Sequence, residues 1–435
     1  MKVNVCMFVW NHFTNDARVL RACSALAEAG YAVDLIAIHD PKNEELPKKE
    51  QYSENFNIRR VNGKLPRFIA YPLGGLGKVK SLLLAHMWLL LLFLVLAAVM
   101  VFLFPVVTIF FLSACLILSV RKVRIIFLRT YIFLQMIKHG FKKKYTIYHS
   151  NDLNTLPQGI ICSKFRLFNR QKLLYDSHEV QTSRTGYTPW FHSNLEKVLI
   201  KLTNEIINEN HTRAAYTEEL YGVYPKVIHN YPFVSKIEQI DKVDLHQLLN
   251  IPQTEPILLY QGGIQTGRGL DKIVEAVPLF EKGVVVLIGD GRIKAELKKT
   301  VAERNLTKRV RFIQKVPVAE LVRYTPNAYL GFQVLNNVCF NHYSASSNKL
   351  FEYMMSGVPQ VACSFPEIQK VVEKEKTGIC VDSHCPLSIA QGVNYLLNHP
   401  EERKKMQQNC LRARAHYNWD NEKLEFLRIY KEVMR

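Results

Sequence analysis

The stretch NHYSASSNKLFEYMMSGVPQ holds the residues best suited to chemistry. Asn348-Lys349 precedes a helical segment whose Glu352 projects near its N-terminal end, and Gly357-Val358-Pro359 closes it. A cation beside helix amides suits phosphate oxygens, because the helix start adds partial positive charge. A carboxylate suits paired ribose hydroxyls, since it offers two acceptor oxygens. Upstream, YQGGIQTGRGL joins a strand to a helix, and Gly262 and Gly263 let backbone amides approach an anion. Arg268, in the same loop, stands where it could pair with a diphosphate. LIGDG, with Gly289, Asp290 and Gly291, is a second turn of this kind. Such glycines serve either the backbone or a ligand, and one GxG does not identify a dinucleotide fold. His178, in YDSHE, ends a strand, where a histidine either moves protons or merely satisfies the structure.

Parallel strands and their following helices must position these groups. KVNVCMFVW is an apolar run suited to a buried strand, and Asn15 or Asp16 is available to cap the helix that follows. Val19, Leu20, Cys23, Leu26 and Ala27 recur there at helical spacing until Gly30. YAVDLIAIHD, NIRRVN, YTIYHSND and QKLLYDSHE continue as strands ending in polar residues. In the second half PILLYQGG, VVVLIGDG, VRFIQKV, NAYLGFQVL and PQVACS read as strands, with GLDKIVEAVPLF, RIKAELKKTVAER and KLFEYMMSG as helices. The alternation predicts an α/β architecture: two domains, parallel sheets and helices on both faces. Residues 235–254 are polar and read as the linker, and the chain from Pro400 to Arg435 as helical and basic.

One block departs from this rhythm. From Ser81 to Val120 there is no Asp, Glu, Lys or Arg. As one helix it would run roughly 60 Å, about twice the hydrocarbon thickness of a bilayer, and Pro105 interrupts it. A membrane hairpin over 82–120, turning near Phe104-Pro105, is the expectation. The strands on either side belong to one sheet, so both ends must lie in one compartment. Lys78 and Lys80 before the block, and Arg121, Lys122 and Arg124 after it, match two cytoplasmic ends. RKVRIIFLRTYIFLQMIKHGFKKK then reads as an interfacial helix on an anionic leaflet. The chain's net charge of +19 fits anionic lipid in this position better than nucleic acid. The nine cysteines form no paired spacing, so free thiols are expected rather than a disulfide framework or zinc site. Met1 leads directly into a strand, so no cleavable signal peptide is expected.

The motifs taken together carry a resemblance. NDARVLRACSALAEAGYAVDLIA, YHSNDLNTLPQG, LLYDSHE, VIHNYP, GGIQTGRGL and the Asn348 segment, in this order, resemble glycosyltransferase family 4. These are the retaining group 1 enzymes of GT-B fold. The resemblance implies two Rossmann-like domains facing a cleft, with the membrane hairpin inserted in the first. The expected boundaries are 1–234 for the acceptor domain, including 78–143 for the hairpin and basic helix, and 255–415 for the nucleotide-sugar domain. The helix 416–435 is expected to pack back on the first domain. The resemblance assigns donor binding to Gly262, Gly263, Arg268, Gly289, Asn348, Lys349, Leu350 and Glu352. It assigns catalysis to His149, Asn151 and His178, and the acceptor side to Asn11, Asn15 and Asp16. Glu352 matches the second glutamate of the family's Glu-x7-Glu pair, while the first falls on Ser344; the usual first basic position falls on Gly263.

The implied reaction moves a sugar from a UDP- or GDP-linked donor to a lipid-linked glycan on the cytoplasmic face of the inner membrane. No cofactor, metal or nucleic acid is implied, and the leaving diphosphate is neutralised by Arg268 with Lys349 or Arg292. A nucleotide-sugar 2-epimerase and a non-catalytic GT-B scaffold of a glycan assembly complex are the rival readings.

Overall fold

A computed structural model describes residues 3–165, 171–183, 188–234 and 240–435. The chain forms two compact units, Met1–Thr14 with Leu26–Leu173, and Asn15–Ala25 with Leu174–Arg435.

In the first unit the strands are β1 (Asn4–Phe8), β2 (Ala32–Ile38), β3 (Lys49–Ser53), β4 (Phe56–Val61) and β5 (Ile147–Asn151). Their order is β3-β4-β2-β1-β5, parallel except for β3 against β4. Near-complete burial of β1, β2 and β5 explains their unbroken apolar runs. The helix α1 (Ala17–Glu28) follows β1 and starts at Asp16, whose Oδ1 accepts the Val19 N–H at 3.1 Å.

The charge-free block is not one hairpin of two long arms. It takes in the end of α2 (Arg67–Ala85), all of α3 (Met87–Leu103) and α4 (Pro105–Ser119), and stops where α5 (Arg121–Gly140) begins. The expected break at Phe104 is there: the residue before a proline is pushed out of the helical region, and Phe104 has φ −137° and ψ 67°. A second break lies at His86, where extended backbone turns α2 from α3 by 115°. Neither proline nor glycine marks it, so the local sequence does not foretell it. The breaks leave α3 with 17 residues and α4 with 15. At 1.5 Å per residue these reach roughly 26 and 22 Å, short of a hydrocarbon core of about 30 Å. Among the described residues no single helix is long and apolar enough to cross a membrane, though the bent pair α2–α3 meets that test in length and composition. Thr108 of α4 donates its hydroxyl to the Met100 carbonyl of α3 at 2.9 Å. No α3 residue is buried, and Phe102 and Phe110 are 87% and 77% exposed.

The two halves of α5 differ in packing, and nothing in the fold tests an interfacial position. Ile126 and Phe127 are exposed, whereas Ile132, Met136 and Gly140 are buried. A Cβ on Gly140 would meet Cys162 Sγ at 2.6 Å and the Phe8 ring at 2.9 Å, so this end of the helix is packed as tightly as a core.

The strand β6 (Lys172–Ser177) carries the chain into the second unit, where β7 (Glu205–Asn208) and β8 (Lys226–Val227) continue parallel to it. The other sheet contains β9 (Ile257–Gln261), β10 (Val284–Ile288), β11 (Val310–Ile313), β12 (Leu330–Gln333), β13 (Gln360–Cys363) and β14 (Gly378–Val381). Its order is β11-β10-β9-β12-β13-β14 and it is parallel throughout. The order reverses after β9, so the C-terminal end of this strand lies at a switch point, the usual ligand position in such sheets.

The expected linker 235–254 begins on residues 235–239, which lie outside the described residues. Its later part is structured: Asp244 caps a short helix, Leu245–Leu249, and Leu245 and Ile251 are buried in the core beside β9 and β10. Polar neighbours mask these two anchors in the sequence. The last helix, Trp419–Met434, is tied by the Trp419 N–H to the Pro232 carbonyl at 2.8 Å and by Glu422 to the His229 N–H at 2.7 Å. All nine cysteines are free thiols.

Candidate active site

In the second unit, β9 ends against the first turn of the helix Asn348–Met355. Gln261, the last residue of β9, is fully buried. Its carbonyl oxygen accepts from Thr325 Oγ1 at 2.8 Å, which leaves its amide to donate to Glu352 Oε2 at 2.7 Å. The Glu352 carboxylate is thereby held in one orientation. Burial raises its pKa, opposed by the Gln261 bond and by the positive charges of Lys349 and Arg21.

Lys349 lies in the same turn and is only 7% exposed. Its ammonium sits 5.0 Å from the centre of the Tyr260 ring, and its side chain borders Gly262. Among the described residues no carboxylate pairs with it and no hydrogen bond engages it. Burial, and then the field of Arg268, push its pKa down to about 7, with Glu352 opposing. Arg268 is half-buried, and among the described residues its guanidinium also has no hydrogen bond or ion pair. Two neighbouring cations without a counter-ion are expensive unless an anion joins them. Arg292 is differently placed: it is exposed and donates to the Gln265 side-chain oxygen at 3.3 Å.

The glycine turns divide between the two roles left open by the sequence. Gly289 has φ +152°, and a Cβ there would lie 1.9 Å from the Gly262 carbonyl, so packing of one turn on the other demands this glycine. Gly262, at φ +132°, likewise needs its freedom. Gly263 is exposed, its φ is not positive, and a Cβ there would make only an ordinary contact with Gln265 at 3.5 Å.

Asn348 opens the helix, and its side-chain oxygen accepts from Asn230 at 2.8 Å. Asn230 in turn accepts from Arg21. Leu350 does not face a ligand: its side chain is fully buried in the core with Phe351 and Met354, and its N–H donates to Ser347.

Arg18 and Asp176 form a buried fork, with bonds of 3.0 and 2.8 Å, and Arg18 also donates to the Ile228 carbonyl. Burial alone would raise the Asp176 carboxyl; Arg18, aided by His178, overrides it and holds the carboxyl well below its ordinary range. His178 is half-buried, with Nε2 3.4 Å from the same carboxylate. Ser344 is fully buried and turned away from solvent. Its hydroxyl donates to the Phe340 carbonyl at 2.7 Å and accepts from Arg213, while its carbonyl accepts from Asn210. Arg213 also pairs with Glu209.

Other assigned residues are spent on structure. In the first unit, His149 is fully enclosed in β5, closed to a substrate as a proton carrier must not be. Asn151 donates to the Phe8 carbonyl at 2.9 Å, and Asn11 accepts the Phe13 N–H at 2.8 Å, bracing a left-handed turn at Phe13. Asp16 caps α1, and Asn15 is exposed. Sequence reading missed Arg18, Arg21, Asp176, Arg213, Asn230 and Gln261. The only signal was two arginines three apart on a helix that otherwise buries that side. Among the described residues no group of three His, Cys, Asp or Glu side chains could hold a metal ion.

Residues 241–412, which carry this lysine and glutamate, match a family model described as glycosyl transferases group 1. Over these residues the chain is similar to group 1 glycosyltransferases. The D-inositol 3-phosphate glycosyltransferase of Corynebacterium urealyticum is 25% identical over 201 residues, covering 42% of this chain and 45% of its own. The chain spans about half the length of the curated relatives it matches. Among solved structures, the sucrose-phosphate synthase of Thermosynechococcus elongatus aligns with a TM-score of 0.71 at 18% identity, covering 99% of both chains. Anabaena HepE in complex with UDP and glucose aligns at 0.67 and 12% identity, covering 99% of this chain and 100% of its own. At such identities the likeness establishes the fold: α/β, two domains with parallel sheets, of GT-B type. The group 1 match and the Lys349–Glu352 turn fall in the same domain.

Proposed function

We propose that the protein is a retaining glycosyltransferase of family 4, transferring a sugar from a nucleotide diphosphate donor, UDP- or GDP-linked, to a lipid-linked glycan. The observation that carries this reading is the buried Lys349 ammonium, without a counter-ion among the described residues, beside Arg268 and one turn from Glu352. A diphosphate supplies the missing anion, and the charge that the two cations stabilise grows as the nucleotide departs. Glu352, oriented by Gln261, is placed to accept ribose hydroxyls. No carboxylate nucleophile is needed if catalysis is by positioning and by stabilising the leaving group. UDP is the donor base favoured for the first trial, because HepE, of the same fold, is described in complex with UDP.

The test is release of nucleoside diphosphate from UDP- and GDP-sugars by the full chain, with and without membrane lipid extract. Turnover only with lipid supports the transferase; a free-standing epimerisation of the donor, or no donor chemistry at all, overturns it. Glu352→Gln keeps the volume and removes the charge. A hydrogen bond to a charged group contributes about 1.5–3 kcal/mol, so donor affinity should fall by roughly ten- to a hundred-fold with the fold intact. Equal affinity in the two proteins would remove Glu352 from the site.

The apolar surface of α3 and α4 is the part of the molecule that calls for a lipid phase, since monomers in water rarely expose so continuous a patch. We place it in the cytoplasmic leaflet of the inner membrane, with both basic flanks on the cytoplasmic side. Single cysteines at Lys80 and Lys122, in a cysteine-free chain, should react with an impermeant thiol reagent only in inside-out vesicles. Modification of either one in intact cells contradicts this topology.

A further inference from the structure

The first unit holds a cavity of about 670 Å³ between the start of α2 and the start of α5. Four cations line it, Lys64, Arg67, Arg121 and Arg124, together with apolar walls that include Tyr71 and Leu128. Among the described residues that line it none is acidic, and between Glu54 and Asp152 the chain contains no acidic residue. Arg124 packs over Gly77, where even a Cβ would lie 3.1 Å from its guanidinium. Its Nε is buried and, among the described residues, has no hydrogen-bond acceptor. A buried donor in that state calls for an acceptor from outside the chain. The rim is apolar: Phe68 and Tyr71 are exposed, as are the neighbouring faces of α3 and α4.

We propose that this cavity binds an amphiphile with a diphosphate head and a hydrocarbon tail, the carrier of the glycan acceptor. The proposal rests on the membrane-borne acceptor reading and gives that acceptor a place. Charge decides between lipid classes. Four clustered cations exceed what one phosphodiester, with a single negative charge, can balance, whereas a diphosphate monoester brings two or three. Guanidinium groups also bind phosphate oxygens in pairs, giving the strong class of charge-assisted bonds. The apolar walls and rim take the first part of the tail, and the remainder runs into the lipid phase beside α3.

The test uses the full chain in phosphatidylcholine nanodiscs with farnesyl diphosphate as the probe. Wild type should bind it, farnesyl monophosphate more weakly, and inorganic diphosphate more weakly still for want of a tail. Arg67→Gln/Arg124→Gln should lower the affinity at least about ten-fold, given the strength of charge-assisted bonds to phosphate, while UDP binding is unchanged. Lys64→Gln/Arg121→Gln provides a second variant should the first not fold. Unchanged farnesyl diphosphate binding in a folded variant overturns the proposal. So does binding of phosphatidylglycerol nanodiscs that farnesyl diphosphate does not weaken, which marks a charged surface and not a site. If the probe binds and the variants lose it, but no nucleotide sugar is turned over, the site stands and the transferase reading falls.

Discussion

Replacing Lys349 by methionine is expected to slow sugar transfer by about 10²–10³, the usual effect of removing one group that stabilises charge developing in the transition state. Methionine fills a similar volume against Tyr260 and keeps the apolar stem, so the fold should persist. The loss should fall on kcat, because the leaving diphosphate carries more charge in the transition state than in the bound donor. A variant that turns over normally shifts the role to Arg268 or Arg292. The pH dependence is a second reading of the same side chain. In the ligand-free protein its pKa is about 7 against an ordinary 10.5, so between these values the unfolded chain holds a proton that the folded one has released. Stability of the ligand-free protein therefore rises with pH across that window. Bound diphosphate favours the ammonium, so binding takes up a proton above pH 7. Affinity for a nucleotide diphosphate sugar should fall as pH rises from about 7 towards 9, and this slope should vanish in Lys349→Met. Calorimetric titrations in buffers of different ionisation enthalpy measure the proton directly; no uptake at pH 8 would show that Lys349 does not meet the diphosphate.

The largest effect on stability is expected at Asp176. Asp176→Ala strands the Arg18 guanidinium in a site where only 8% of the residue is exposed. Breaking a buried pair from one side typically costs about 3–5 kcal/mol, which should appear as a clear fall in Tm and in the denaturant midpoint. Arg18→Met/Asp176→Leu removes both charges and should recover most of the loss, since two apolar side chains need no compensation. An unchanged Tm in the single variant would show that the pair contributes nothing. Because Arg18 holds the Asp176 carboxyl below its ordinary value of 3.8, the pair's stabilisation is complete above that pH and is lost only on further acidification.

Arg18 sits in α1, the helix from which Arg21 reaches Asn230 and, through it, Asn348. The same helix thus supports the donor-site turn. The Asp176 variant should therefore also weaken donor binding somewhat, whereas Lys349→Met, which removes a buried cation, should hold or raise Tm. Measuring both properties on both proteins separates support from chemistry.

The α/β alternation, the glycine turns after β9 and β10, and the pairing of Lys349 with Glu352 in one helical turn were all legible in the residues. Each is a local property: periodicity within an element, a turn that requires glycine, or a few positions along one helix. Local reading also found the charge-free block and the break before Pro105, since proline acts on its immediate neighbour. The contacts that give the site its character join residues far apart in the chain. Gln261 and Glu352 are 91 positions apart, and Arg18 and Asp176 are 158 apart. Which residues meet at such separations is set by strand order and register. The tertiary structure therefore decided that Leu350 packs inward, that Ser344 faces Arg213, and that His149 and Asn151 are enclosed in β5. It decided the bend at His86 as well, where no residue type forbids a helix and yet the backbone is extended.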